Sequence, residues 1–275
     1  MQKRLPEYLK RPIIDTETTR TVRRVLKTNC LNTVCENARC PNKNECYTKN
    51  TATFLIMGNV CTRNCRYCNI GCEKPLPLDE DEPKRVAKAV FDLKLKYSVI
   101  TSVTRDDLPD GGAGHFCNCI REIRKLSPDV KIEILTPDFK GDTTALDRII
   151  EAKPDVFNHN IETVEPLFKT ARPQGDYRCS LEVLKYIKTN SDISTKSGLM
   201  VGLGESFEQI ERTLKDLKSA GCDILTIGQY IQPSKAHLEV AKYYTPEEFK
   251  ELNRLAEEIG FKHWQIGPLV RSSYR

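Results

Sequence analysis

The chain has 275 residues, of which 39% are hydrophobic and 29% are charged, and it carries a formal net charge of +5. This length allows one or two domains, and the mild charge, without a basic stripe of interleaved aromatics, does not indicate nucleic-acid binding. No apolar run approaches the roughly 20 residues of a membrane span. The N-terminus lacks the apolar core of a signal peptide. We therefore expect a cytoplasmic protein, with neither nucleic acid nor membrane as a partner.

The first 50 residues are rich in Asn, Thr and Cys and show no strong helical period. They are expected to form an irregular, cysteine-rich extension. From Thr51 onward, short apolar runs bounded by turn residues alternate with helical segments. Six runs are predicted to be strands: residues 53–57, 99–103, 131–135, 156–161, 198–201 and 224–227.

Helices are predicted between and after these strands. One follows Pro83, and two others open with the residue pairs of a capping box. These pairs are Ser206 with Gln209, and Thr245 with Glu248. In a capping box each side chain bonds the other residue's backbone N–H, so both pairs mark the first turn of a helix.

Strands that alternate with helices indicate βα units and a parallel sheet, which makes the fold class α/β. A closed eight-unit barrel takes about 250 residues, and fewer follow Thr51, so a partial (β/α)6 TIM-type barrel is expected. The predicted domains are an N-terminal extension (1–50), the barrel (51–265) and a C-terminal tail (266–275) that closes the site.

The twelve cysteines are an unusual number for a cytoplasmic chain, where thiols stay reduced and disulfides are rare. Clustered cysteines in such a chain are more often ligands of a metal or a cluster. Five of the twelve cysteines match no cluster motif, and we expect them to be small buried hydrophobic residues. They are Cys72, Cys117, Cys119, Cys179 and Cys222.

Cys61, Cys65 and Cys68 form a triplet directly after the first predicted strand. Three thiolates can bind three irons of a four-iron cube, and the fourth iron then stays open to a small molecule. Tyr67 can pack beside that molecule. A zinc knuckle is the alternative, although structural zinc sites usually combine two close pairs of ligands. The spacing resembles the signature of the radical S-adenosylmethionine superfamily.

A second triplet, Cys35, Cys40 and Cys46, lies in a turn-forming context. Backbone N–H groups in turns can donate to the sulfurs of a cluster. The alternatives are three thiols in a solvated loop, or a zinc site that Cys30 completes.

The two triplets together resemble the lipoyl synthase family, and so does the end of the chain, with Arg271, Ser272, Ser273 and Tyr274. The resemblance covers nearly the whole chain. Further matching segments are residues 5–9, 51–54, 102–113, 158–163, 198–205 and 228–230.

This resemblance implies that Cys61, Cys65 and Cys68 hold the cluster that cleaves S-adenosylmethionine. It also implies that the second triplet holds an auxiliary cluster, with Ser273 as its fourth ligand. Two alternatives stay open for that position. Terminal residues usually fray, and Cys30 offers the ordinary thiolate ligand for iron.

Polar residues and glycines follow the predicted strands at the edge where parallel barrels keep their chemistry. Arginine suits a carboxylate, and Asn and Glu suit ribose hydroxyls and adenine edges. Each of these residues also has a structural alternative, as a buried polar group or a turn glycine. The residues expected to bind the cofactor are Tyr67, Arg105, Asp106, Asn158, Asn160, Glu162, Arg172, Gly202, Gln229 and Tyr230.

The resemblance implies a sulfurtransferase of lipoate biosynthesis and protein lipoylation. It inserts two sulfur atoms at carbons 6 and 8 of an octanoyl group on a carrier lysine. The implied cofactors are S-adenosylmethionine and two 4Fe–4S clusters, of which the auxiliary one is sacrificed. The implied partners are an octanoylated glycine cleavage H protein or dehydrogenase E2 lipoyl domain, a flavodoxin or ferredoxin reductant, and an iron–sulfur carrier for cluster repair. The alternatives are another radical enzyme of the superfamily and a zinc-binding interaction module.

Overall fold

The computed structural model describes residues 5–12, 15–49 and 51–273, so Tyr274 of the terminal motif lies outside the described residues. The chain divides into two compact units. We call them the N-terminal unit, residues 11–63 and 70–157, and the C-terminal unit, residues 1–10, 64–69 and 158–275. No helix within the described ranges is both long and apolar enough to cross a membrane.

Strands and helices alternate in both units. The strands are β1 (Asn32–Thr33), β2 (Thr53–Ile56), β3 (Val60–Cys61), β4 (Gly71–Cys72), β5 (Tyr97–Ser102), β6 (Lys131–Leu135), β7 (Val156–Asn158), β8 (Ser194–Val201), β9 (Ile224–Gln229) and β10 (His263–Gly267). The helices are α1 (Glu17–Thr28), α2 (Val34–Asn37), α3 (Lys43–Thr48), α4 (Glu82–Asp92), α5 (Ala113–Leu126), α6 (Thr143–Ala152), α7 (Glu165–Ala171), α8 (Tyr177–Asn190), α9 (Phe207–Ser219) and α10 (Pro246–Glu258), with short 3-10 helices at Glu7–Leu9 and Phe139–Gly141.

In the N-terminal unit β2, β5 and β6 are parallel neighbours, and β1 pairs antiparallel with β2. Phe54, Ile100 and Ile132 on these strands are fully buried, as expected for parallel strands that are covered on both faces. A separate parallel pair, β3 with β4, places Cys61 opposite Cys72. This pair joins the two ends of the loop between them.

In the C-terminal unit β8, β9 and β10 are parallel neighbours. Both predicted capping boxes are confirmed: Ser206 with Gln209 opens α9, and Thr245 with Glu248 opens α10. These helices bury apolar residues at helical spacing, including Leu214 in α9. The caps supply partners for the free N–H groups of the first turn.

All six predicted strands are present; residues 131–135 match β6, and the other five have shifted ends. The sequence missed β10, because its residues are exposed or half-buried and do not form an apolar run. The expectation of an irregular N-terminal segment was wrong for α1, a 12-residue helix. Its buried residues, Thr19, Val22 and Leu26, stand among arginines and threonines, so the apolar stripe is narrow. The predicted domain bounds stay a prediction.

Of the five cysteines that were expected to be buried, Cys117, Cys119 and Cys222 are buried. Cys179 is half-buried, and the expectation was wrong for Cys72, which is exposed. Cys72 belongs to the two-residue strand β4, both of whose residues are exposed. Such a short edge pair has no second layer to bury its side chains.

Candidate active site

The first cysteine of the loop 61–68, which we call the cysteine loop, has a sulfur that already accepts hydrogen bonds. The backbone N–H of Arg63 lies 3.4 Å from Cys61 Sγ, and that of Thr104 lies 3.3 Å away. Backbone donors of this kind orient a cluster ligand and tune the charge on its sulfur. The Cys61 thiol is therefore held in place by residues that follow β3 and β5.

Arg63, inside the cysteine loop, is 5% exposed and bonds two aspartates. Its Nε lies 2.7 Å from Asp106 Oδ2, and its Nη1 lies 2.7 Å from Asp138 Oδ2. Nη2 bridges to the second oxygen of each carboxylate. Burial disfavours the guanidinium charge, but the two carboxylates outweigh it and raise the pKa of Arg63. This bidentate pairing fixes the loop to the ends of β5 and β6.

Thr62 adds a second connection to the residues after β5. Its backbone N–H and its hydroxyl both donate to Thr104 O, at 3.1 and 3.0 Å. The hydroxyl oxygen in turn accepts the N–H of Asp106 at 3.0 Å. Asp106 was predicted to bind the cofactor, but the contacts shown are to the cysteine loop, so its cofactor contact stays a prediction.

The rest of the cysteine loop belongs to the C-terminal unit. Cys68 N–H donates to Cys65 O at 3.0 Å, and Arg66 N–H donates to Ala171 O at 2.9 Å. His237 Nε2 lies 2.9 Å from Cys68 O, and Ser234 Oγ lies 2.8 Å from His237 Nδ1. Because a carbonyl accepts only, Nε2 carries the proton and Nδ1 accepts from the serine. His237 thus holds the backbone of Cys68.

Four predicted cofactor residues meet in the C-terminal unit. Glu162 Oε1 accepts from Asn160 Nδ2 at 3.2 Å, and the carboxylate also accepts from Tyr67. Arg172 Nη1 donates to Asn160 O at 3.1 Å. Burial raises the pKa of Glu162, although Arg172, Asn160 and Tyr67 oppose the shift. The pKa of Tyr67 is raised by burial, then by Glu162 and Cys65.

Glu162 also has a left-handed backbone, with φ +71°. A non-glycine residue pays a steric cost for this conformation, and such strain concentrates at functional sites. The residue is held there by its own backbone, since its N–H bonds Gly198 O and its O accepts Met200 N–H, both at 2.9 Å. The strands of the unit therefore enforce the direction of the Glu162 side chain.

Arg105, in the N-terminal unit, is 2% exposed. Its Nε and Nη2 bond Asp107 at 2.9 and 2.8 Å, whereas its Nη1 has no hydrogen-bond partner among the described residues. A buried guanidinium nitrogen without a partner is rare. It fits the prediction that Arg105 receives an acceptor group from a ligand. Asn158, at the end of β7, is fully buried.

Gly202, Gln229 and Tyr230 form a separate group in which packing accounts for each residue. Gln229 Nε2 donates to Val201 O, Tyr230 O and Lys242 O, and a Cβ on Gly202 would stand 2.2 Å from that nitrogen. Tyr230 OH donates to Leu238 O at 2.8 Å. These contacts support the structural alternative, and cofactor binding by the three residues stays a prediction.

The second triplet lies on α2, α3 and the turn between them; we call residues 35–46 the auxiliary segment. Burial raises the pKa of Cys35 to about 11, and Cys40 adds to the shift. Burial likewise raises the pKa of Cys46 to about 12, with contributions from Cys35 and Cys40. The three thiols therefore lie close enough to affect one another's charge. Two residues that flank the auxiliary segment, Thr33 and Tyr47, form a buried hydrogen bond between their hydroxyl groups, with 3.2 Å between Thr33 Oγ1 and Tyr47 OH.

The described tail ends at Ser273, which is half-buried. The hydrogen bonds fall on its neighbour: Ser272 Oγ donates to Asn160 Oδ1 at 2.7 Å. Lys196 Nζ lies 2.5 Å from Ser272 O. The predicted ligand role of Ser273 stays a prediction.

Comparison with known proteins gives the family. Residues 55–217 match the Radical SAM superfamily. A lipoyl synthase of Caldanaerobacter subterraneus is 53% identical over 275 residues, which is 100% of this chain and 96% of that protein. A lipoyl synthase of Caldicellulosiruptor saccharolyticus is 51% identical over the same shares. The chain belongs to the lipoyl synthase family.

Solved structures of other proteins share the fold of this lipoyl synthase family member. Methylornithine synthase PylB has a TM-score of 0.58 at 12% identity, with 89% of this chain and 70% of that chain covered. The hydrogenase maturase HydG of Carboxydothermus hydrogenoformans has a TM-score of 0.58 at 15% identity, with 75% and 52% covered. At these identities the likeness shows the fold alone. The predicted α/β partial barrel with a cysteine-rich N-terminal region is confirmed.

The family implies a 4Fe–4S cluster and S-adenosylmethionine. Among the described residues no group of three His, Cys, Asp or Glu side chains is arranged to hold a metal ion, so the ligand role of each triplet stays a prediction. The Cys61 sulfur has its backbone donors in place. In the auxiliary segment the three cysteines offer thiolates, the ligand type that 4Fe–4S clusters use. Sequence reasoning missed Arg63, His237 and Lys196, because an isolated basic residue in a sequence does not reveal a buried partner. For Arg63, its place within the cysteine motif was an available signal.

Proposed function

We propose that the chain is a lipoyl synthase in its activity, inserting two sulfur atoms at carbons 6 and 8 of a protein-bound octanoyl group. The observation that carries the proposal is the similarity to relatives named lipoyl synthase, which are 53% and 51% identical to the chain over 275 residues. The two distinct cysteine triplets agree with it. One cluster site suffices to cleave S-adenosylmethionine. A second site is what sulfur donation requires.

The cysteine loop holds the first 4Fe–4S cluster through Cys61, Cys65 and Cys68. Bound there, the cluster and S-adenosylmethionine supply the reductive radical chemistry that removes hydrogen from the octanoyl chain. Arg63 and His237 keep the cysteines oriented through the bonds described above. The protein's contribution is thus the position of the ligands and the exclusion of water.

The residues around Glu162 bind the nucleoside end of the cofactor. A carboxylate and an amide suit ribose hydroxyls, and the Glu162–Asn160 pair presents both within 3.2 Å of each other. Arg105, with its buried Nη1 lacking a partner among the described residues, suits an acceptor on the cofactor or substrate. Tyr67 lies next to Cys68 in sequence and bonds Glu162, so it connects these residues to the cysteine loop.

The auxiliary segment holds the sulfur source, a second 4Fe–4S cluster bound by Cys35, Cys40, Cys46 and Ser273. Two of its sulfurs become product, so this cluster is a substrate that each turnover consumes. An alkoxide ligand is unusual for iron. A serine that regains its proton leaves iron more readily than a thiolate, which suits a cluster that must come apart.

The reaction requires three kinds of partner. An octanoylated carrier domain presents the substrate lysine, a flavodoxin or ferredoxin supplies electrons, and an iron–sulfur carrier rebuilds the auxiliary cluster. Clustered cysteines that serve as cluster ligands suit a reducing compartment such as the cytoplasm, where disulfides are rare.

Anaerobic turnover on an octanoylated carrier peptide, followed by mass spectrometry, tests the activity directly. A mass gain that corresponds to two inserted sulfurs is expected, with iron and little zinc in the purified protein. Ser273→Ala is expected to assemble clusters but to make little or no product, and Cys30→Ala is the matched control, expected to be near native. Loss of the auxiliary cluster in Cys30→Ala, with full turnover in Ser273→Ala, would assign the fourth ligand to Cys30 instead.

A further inference from the structure

The C-terminal tail passes close to a glycine on each of two neighbouring strands, β8 and β9. A Cβ added to Gly228 on β9 would stand 2.1 Å from Val270 O, and one added to Gly198 on β8 would stand 2.9 Å from Ser272 Oγ. Gln229 N–H donates to Pro268 O at 3.3 Å. The tail therefore lies close against the C-terminal unit, and at Gly198 and Gly228 a larger residue would meet tail atoms. We call this path of the tail, past Gly198 and Gly228, the track.

Gly198, Lys196 and Gly228 lie on one face of this pair of strands. Lys196 and Gly198 are two residues apart on β8, so their side chains point the same way. Gly198 stands opposite Thr226, and Gly228 is two residues beyond Thr226 on β9. A lysine thus stands on the same surface as the track.

Ser272 is the residue at which the tail is gripped, because both its polar groups have partners from other elements. Its hydroxyl donates to Asn160 Oδ1 at 2.7 Å, and its carbonyl lies 2.5 Å from Lys196 Nζ. Lys196 is 3% exposed. A buried ammonium is costly unless it is hydrogen-bonded, so a buried lysine aimed at a tail carbonyl points to a specific purpose.

The side-chain amide of Asn160 connects Ser272 to Glu162, one of the predicted cofactor residues. Asn160 accepts from Ser272 on its Oδ1 and donates to Glu162 from its Nδ2. Glu162 in turn accepts from Tyr67. An amide that both accepts and donates cannot rotate freely without losing a bond, so the bond to Glu162 keeps the Asn160 amide in the orientation that receives Ser272.

We propose that Lys196 and Asn160 are positioning residues for sulfur insertion: they clamp the tail at Ser272 and thereby place the next residue, Ser273, for its ligand role. The inference rests on the proposed function of Ser273. The two serines then divide the work, with Ser272 as the docking residue and Ser273 as the ligand. Without the clamp, a terminal segment frays, and the ligand is presented only part of the time.

The test uses the full chain, loaded anaerobically with both clusters, and compares Ser272→Ala, Lys196→Met and Ser273→Ala. Three quantities are measured: iron per chain, 5′-deoxyadenosine formed, and lipoyl product. Ser272→Ala and Lys196→Met are expected to keep native iron and native cleavage of S-adenosylmethionine. Each is expected to lose roughly fivefold in product, the effect of one lost hydrogen bond. Their auxiliary-cluster Mössbauer signal should shift towards that of Ser273→Ala.

The controls separate positioning from folding. Ser272→Thr keeps the hydroxyl and should recover most product, and Lys250→Met makes the same change on an exposed helix position and should be native. Native product from Ser272→Ala and Lys196→Met, beside an inactive Ser273→Ala, overturns the clamp and leaves the proposed function standing. Equal losses of S-adenosylmethionine cleavage and of lipoyl product in Ser272→Ala and Lys196→Met also overturn the clamp, because the two residues would then act on cofactor binding or on folding. Full activity of Ser273→Ala overturns the ligand role itself.

Discussion

The cysteine loop and the auxiliary segment differ in what holds their sulfurs. In the cysteine loop, polar partners are already in place: Arg63 pairs with two aspartates, and His237 bonds the backbone of Cys68. In the auxiliary segment, burial dominates, and it raises the pKa of Cys35 and Cys46 to about 11 and about 12. The structure shows hydrogen bonds to Cys61 and Cys68 in the cysteine loop, whereas in the auxiliary segment Cys35 is buried and Cys40 and Cys46 are half-buried.

This difference matches the two proposed duties. A site that must bind a fresh cofactor molecule in every turnover benefits from ligands that do not move, because preorganised groups pay no ordering cost at the moment of reaction. A site whose cluster is dismantled must tolerate the loss of its metal. Burial raises the pKa of Cys35, and a thiol that keeps its proton can stay buried without iron at little electrostatic cost.

Exchanging one cysteine in each segment tests this division and should give the largest effects. Cys65→Ala is expected to abolish formation of 5′-deoxyadenosine while retaining roughly half the iron, since each triplet has its own ligands. Cys40→Ala is expected to retain cofactor cleavage and to abolish lipoyl product. Native cleavage by Cys65→Ala, or lipoyl product from Cys40→Ala, would show that the two segments do not have separate roles.

Arg63→Met tests the anchoring of the cysteine loop. Asp138 is 2% exposed, and Arg63→Met removes the guanidinium that bonds both of its carboxylate oxygens. The free energy of unfolding should fall by about 3 kcal/mol, with loss of the first cluster. Arg63→Lys keeps the charge but not the fork and should fall in between. Unchanged denaturant midpoints for Arg63→Met would mean that the aspartates do not depend on this arginine.

Gly228→Ala tests the tail that brings Ser273 to the chemistry. The new Cβ would stand 2.1 Å from Val270 O, a backbone atom, so the tail must shift, and product formation should fall by about tenfold or more while cofactor cleavage persists. Gly267→Ala is the matched control: it lies opposite Gly228 on β10, and its Cβ would stand 3.5 Å from a Val270 methyl. Equal activity of the two variants would show that the track is not needed.

His237→Phe removes the donor to Cys68 O, at the other end of the cysteine loop. One lost hydrogen bond is worth about 1 kcal/mol, which corresponds to roughly fivefold in the rate of cofactor cleavage. His237→Gln retains an N–H donor and should lie closer to native. If both variants cleave the cofactor as fast as the native protein, the position of Cys68 does not depend on His237.

The smallest effect concerns a buried thiol outside both triplets. Burial raises the pKa of Cys222 to about 12 from an ordinary value of 9.0. Above about pH 9 the unfolded chain releases this proton and the folded chain keeps it, so folding becomes less favourable as pH rises, by up to about 1.4 kcal/mol per pH unit. Cys222→Ala should remove that part of the slope, and the exposed Cys72→Ala should not. If the free energy of unfolding falls with pH at the same slope in the native protein, Cys222→Ala and Cys72→Ala, then Cys222 does not contribute to that slope.

Local patterns predicted the fold well. The capping boxes that begin with Ser206 and Thr245 form as expected, because each pair satisfies backbone groups within one turn. The misses have a common cause. The helix α1 and the strand β10 have weak apolar patterns of their own, so their presence depends on the elements against which they pack. Local propensity is overridden by tertiary context in such segments.

The sequence by itself determined the number and spacing of the cysteines, the order of strands and helices, and the family resemblance of the chain. These are local properties that survive without knowledge of the chain's path. The tertiary structure alone decided that Arg63 meets Asp138, that His237 holds Cys68, and that Lys196 reaches Ser272. These partners are separated by 75, 169 and 76 residues. A charged or polar residue reads the same in a sequence whether it faces water or a buried partner, and folding decides which.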